Sequence, residues 1–220
     1  MNYLLIENLT VFIFAAAGFF YGAFRYLRPK KPHYASMIVM GVGCVMLARL
    51  FQCLYLLSGH LITVSFQIGV MGNSAAFAFF FASNFGQIDS LVDDGGPEFR
   101  KYRRIAAAAP ISIVLLFVLI FLSPAVLRFK LSCLFPLFVI SSASYFHLKH
   151  IFIPDVHYGV VNCLRPYNCL ALLMAICRIA ELTSMAWGSK TLVLLFGSLL
   201  SLCVFSIVPA MDRGVKRWTA

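Results

Sequence analysis

Two arginines stand inside runs that are otherwise apolar. Arg49 is followed by Leu50, Phe51 and Gln52, and Arg178 by Ile179, Ala180 and Glu181, so both runs read Arg-x-x-Gln/Glu. An arginine at bilayer depth costs roughly 2.5 to 3.5 kcal/mol on insertion scales, so each needs a partner facing the interior of a bundle. Gln52 and Glu181 each stand one helical turn from their arginine, and Glu7, Gln67 and Asn73 fall in neighbouring apolar runs. Arg49, Gln52, Gln67, Asn73, Arg178 and Glu181 thus outline a polar pocket opening outward. It is cationic if Glu7 stays away and neutral if Glu7 reaches it. Such a pocket suits a small anionic or zwitterionic ligand. The competing reading is an ion-pair network that satisfies itself and only fixes helix packing.

Two further groupings could carry chemistry. Asp89 and Asp93 are four residues apart at a helix end, followed by Asp94-Gly-Gly-Pro97 and the basic residues Arg100, Lys101, Arg103 and Arg104. Carboxylates at that spacing share a helical face and could hold Mg²⁺ against a diphosphate. A second acidic motif is missing, and Asp-Asp-Gly-Gly-Pro equally makes a turn before a basic run that anchors to anionic headgroups. His147, His150, Asp155 and His157 lie within eleven residues and form a candidate metal set. Their spacing fits no standard zinc signature closely, and a plain interfacial loop is the competing reading. No cofactor is expected: the spans hold no histidine pairs at matched depth for haem, and the last apolar run lacks a lysine for a retinal Schiff base.

The elements that must position these groups follow from composition. The chain has 220 residues, of which 61% are hydrophobic and 12% charged, with a mean hydropathy of +0.89. That excludes a soluble enzyme and a nucleic-acid-binding domain, and the unbroken apolar runs exclude an outer-membrane barrel. The predicted fold is an all-α integral membrane protein, one polytopic domain over 1–220. Seven helices are expected near 3–27, 34–58, 61–86, 105–127, 131–151, 161–187 and 191–211.

Of the 18 basic residues, Arg49 and Arg178 are inside spans and the remainder divide thirteen to three. The thirteen lie on the side of Arg25 to Lys31, Arg100 to Arg104 and Arg213 to Arg217. The positive-inside rule then puts the N-terminus outside and the C-terminus in the cytoplasm of a plasma (inner) membrane. The first run lacks a basic leader and is read as a retained helix. The seven cysteines read as small packing residues, and Gly18-x-x-x-Gly22 as a close-packing face within the bundle.

Arg49 and Arg178 each lie nine residues before the outer end of their helix, about 13 Å deep. Helices one to three and five to seven would share an orientation, with helix four as linker, as in a parallel three-plus-one-plus-three repeat. Three functions fit. A sensor or receptor-like subunit would bind its ligand outside and signal to a cytoplasmic protein partner. A small-solute transporter would rock two similar halves around the same pocket. A membrane-embedded lipid-modifying enzyme would use the Asp89/Asp93 or His147/His150 loops. The first is the leading reading.

Overall fold

A computed structural model describes residues 3–61, 68–89, 92–154 and 159–219. It contains α1 (Tyr3–Tyr26), α2 (His33–Leu57), α3 (Ile68–Ser83) and a π-helical turn (Asn84–Asp89). A 3₁₀ turn (Pro97–Phe99) then leads into α4 (Arg100–Ala106) and α5 (Ala108–Leu122). The chain ends with α6 (Leu127–Ser132), α7 (Leu134–Phe152), α8 (Val160–Ala186) and α9 (Lys190–Thr219). Among the described residues these make seven helices long and apolar enough to cross a membrane, with α4–α5 and α6–α7 each counting as one.

The two interrupted helices have the same cause. Proline lacks an N–H and its ring clashes with the carbonyl four residues back. Pro110 and Pro136 therefore disturb Ala106 and Ser132, and the helix breaks one residue later, at Ala107 and Cys133. Pro166 and Pro209 are instead absorbed inside α8 and α9.

Several helix limits differ from those expected, and the fourth helix begins at Arg100 rather than 105. The fourth stops at Leu122 rather than 127, because Pro124 drives Ser123 into the extended region. The fifth consequently starts at Leu127 instead of 131. The seventh runs eight residues past 211, to Thr219, where the first charge after the apolar run, Asp212, is paired rather than left to end the helix. Asp212 accepts hydrogen bonds from Tyr21 and Tyr26 of α1 and is ion-paired with Arg25 and with Lys216 one turn on.

Six helices close a ring in the order α1, α2, α3, α7, α8, α9, with α9 returning to α1. α5 lies outside it, packed mainly against α7 and α8. Of the most apolar window of Pro97–Leu122, 28% is buried, against 61% for Val160–Ala186. The outward residues of α5, including Ile111, Leu115, Leu119 and Leu122, are exposed. Gly18 and Gly22 let α1 approach its neighbours. A Cβ at Gly18 would lie 3.3 Å from the Val204 carbonyl oxygen of α9, and one at Gly22 2.6 Å from Val39 of α2. The Gly-x-x-x-Gly face is thus spent within the bundle.

Candidate functional site

Arg49 of α2 reaches across the ring. Its Nη2 donates to Glu181 Oε1 and Oε2 of α8 at 3.0 and 2.8 Å. Its Nη1 pairs with Glu7 Oε1 of α1 at 3.0 Å and donates to Asn8 Oδ1 at 2.9 Å. Arg178 Nη1 donates to Glu181 Oε2 at 2.8 Å. Glu181 is therefore shared by both arginines, and three helices are joined through two cations and two carboxylates. Because Glu7 arrives, the cluster is formally neutral.

The cluster is sealed. Glu7, Asn8, Arg49, Arg178 and Glu181 are each at most 2% exposed, so the expected outward opening is not seen among the described residues. The closure has a local reason: Gly197 of α9 stands where a Cβ would lie 2.4 Å from Glu7 Cγ. Only a glycine there leaves the glutamate room to turn toward Arg49. Two donors of the cluster remain unspent, since Arg49 Nε and Arg178 Nη2 are buried with no hydrogen-bond partner among the described residues. A buried donor of this kind is normally satisfied by a ligand or an ordered water.

The amide residues separate from the arginines. Gln52 is buried but turns to α3, where Asn73 Nδ2 stands 3.5 Å from its Oε1 and donates to the Gly69 carbonyl at 2.9 Å. Gly69 makes space for the Gln52 side chain, as Gly197 does for Glu7. Gln67 lies outside the described residues. Sequence reasoning missed Asn8, which accepts from Arg49 Nη1. A buried arginine in need of acceptors was the signal that could have found it.

A second polar cluster forms where α3 ends. Lys149 Nζ of α7 contacts Asp89 Oδ1 and Asp93 Oδ2, both at 2.6 Å, and His150 Nε2 lies 3.0 Å from Asp89 Oδ1. The two carboxylates do converge, as their spacing implied, but on an ammonium already in place. Asp93 also accepts from the Gly95 N–H at 2.9 Å, closing the expected turn. Burial works to raise the Asp93 pKa, yet hydrogen bonds from Lys149 and Gly95 hold it below its ordinary value. His147 faces elsewhere: its Nδ1 lies 2.8 Å from Asn84 Nδ2 and 2.9 Å from Asn168 Oδ1.

His147 and His150 thus have separate partners. No group of three potential metal ligands occurs among the described residues, and Asp155 and His157 lie outside them. Lys149, Asn84 and Asn168 were not singled out from the sequence. A lysine near the end of an apolar helix, in need of a carboxylate partner, carried the signal for the first. Comparison of the chain with known protein families, curated proteins and solved structures found no match.

Proposed function

We propose that this is a multi-pass membrane protein of the receptor or sensor type, in which a small zwitterionic solute binds at Arg178 and the shared carboxylates. The bilayer reading is supported by the apolar exterior, of which the exposed face of α5 is the clearest part. The positive-inside distribution orients the site toward the outside and the charged loops toward a cytoplasmic partner. The observation that carries the ligand reading is the unpartnered Nη2 of buried Arg178, beside a glutamate already divided between two arginines.

The neutrality of the cluster narrows the ligand. A purely anionic solute would add net charge to a sealed site, which is costly. A zwitterion can place its carboxylate on Arg178 and its ammonium on Glu7 without changing the total. Entry requires the ion pairs between α1, α2 and α8 to part, which makes the cluster a latch that a ligand competes to open.

The ring favours one second reading, a carrier. Pairing α1 with α7, α2 with α8 and α3 with α9 maps every contact of the ring onto another such contact, as two parallel repeats would require, and places Arg49 opposite Arg178. Sealed vesicles containing the protein alone, offered labelled amino acids, distinguish the two. Saturable binding without accumulation is the expected result. Accumulation assigns the carrier, and neither binding nor accumulation sinks both readings.

A further inference from the structure

Where α1 and α9 end together, the link from α1 to α2 closes over a cavity of about 570 Å³. Its walls carry Arg25, Arg28, Lys30, Lys31 and Lys216, with Asp212 as the one carboxylate. Asp212 is already engaged by Tyr21, Tyr26, Arg25 and Lys216. Its charge is therefore already matched by Arg25 and Lys216, and Arg28, Lys30 and Lys31 add three further cations to the lining. Five cations against one acid around a concave space is the arrangement that binds a phosphate.

The chain is bent to make this wall. Lys30 has φ 68°, the one non-glycine in the left-handed region among the described residues. An L-residue is held there only where its surroundings demand it. Beside the cavity, α1 shows an apolar strip: Phe20, Phe24 and Leu27 are 52%, 69% and 41% exposed, and Phe24 also lines the cavity. These positions follow one face of the helix, so acyl chains could lie along it while a phosphate sits among the lysines.

We propose that this cavity is a binding site for a phosphate-bearing anion, most favourably the phosphomonoester headgroup of an anionic lipid whose tails lie on Phe20 and Phe24. It is a separate site from the Arg178 cluster and does not rest on the zwitterion reading. The test uses the full chain in detergent, titrated with dioctanoyl phosphatidic acid, dioctanoyl phosphatidylcholine and inorganic phosphate. Two triple variants are compared: Arg28→Gln/Lys30→Gln/Lys31→Gln at the cavity, and Arg128→Gln/Lys190→Gln/Arg217→Gln, which removes the same charge from exposed positions outside the cavity lining.

Saturable binding of phosphatidic acid, weakened roughly tenfold or more by the cavity triple and little by the control, is expected. Phosphatidylcholine should bind weakly. Inorganic phosphate binding as tightly as the lipid keeps the phosphate site and assigns it to a soluble ligand. Equal weakening by both triples, or no saturable binding of either anion, overturns the proposal. In the unaltered protein, phosphatidic acid should also protect Lys30 and Lys31 from amine acetylation, and absence of that protection overturns it independently of any variant's folding.

Discussion

Glu181 is the residue on which the buried cluster turns, because it accepts from both Arg49 and Arg178. Removing one partner of a buried ion pair leaves the other charge uncompensated. Glu181→Gln should therefore cost about 3 to 5 kcal/mol in detergent unfolding experiments. Glu7→Gln should cost on the order of 1 kcal/mol, because Asn8 still accepts from the same Nη1. Equal losses would mean that the sharing of Glu181 has no energetic content. Asp93 gives a prediction in pH. Its folded pKa is lowered by Lys149 and Gly95, so its contribution is full above the ordinary carboxylate value near 3.9 and is lost as pH falls through the lowered one. Wild type should lose melting temperature over that acid range, and Asp93→Asn should lose less. Which side chains would be buried was legible from residue type and depth, since an arginine in the middle of an apolar run must turn inward to find acceptors. Their partners were legible only in part. Glu181 and Gln52 stand equally near their arginines in sequence, yet only Glu181 stays with its own. The room made by Gly69 draws Gln52 toward α3, and that is a property of the neighbouring helix.

At the scale of elements, glycines set how closely helices approach and so which side chains meet. Gly197→Ala should push Glu7 out of its place against α9 and reproduce the loss expected for Glu7→Gln, without further loss when the two are combined. Additive losses would show that Gly197 acts on packing alone. Gly214→Ala is harsher. The added methyl would meet the Cys163 carbonyl oxygen at 2.4 Å, backbone that cannot step aside, so α8 and α9 must separate at a cost of about 1 to 3 kcal/mol, measurable as a lower melting temperature. The number and type of the long helices were legible from apolar runs alone, because nothing but a helix buries its own backbone over twenty such residues. Their ends were less so. Pro124 stopped one helix early through its effect on Ser123, while α9 runs on past its apolar run with Asp212 paired rather than left to end it.

For the molecule as a whole, topology and latch are separate claims. Ser58→Cys and Glu98→Cys place thiols at opposite ends of the ring. In right-side-out vesicles a membrane-impermeant maleimide should label the first above wild-type background and spare the second, and the reverse pattern would invert the orientation. The ring order with α5 outside could not be read from the sequence, since every run is apolar enough to face either lipid or protein. Only the contacts separate the linker helix from the rest. The proposed function makes the Glu7–Arg49–Glu181–Arg178 cluster a ligand-competed latch. Its most direct test is the melting temperature of wild type and of Arg178→Gln in detergent, each with and without the twenty amino acids. At 100 times its dissociation constant a bound ligand stabilises by about 2.7 kcal/mol. With a latch of this kind, at least one zwitterion raises the melting temperature of wild type and leaves that of Arg178→Gln unchanged. A wild type that no amino acid stabilises, or a variant stabilised as much as wild type, would contradict it and leave the arginines as structural ties between helices.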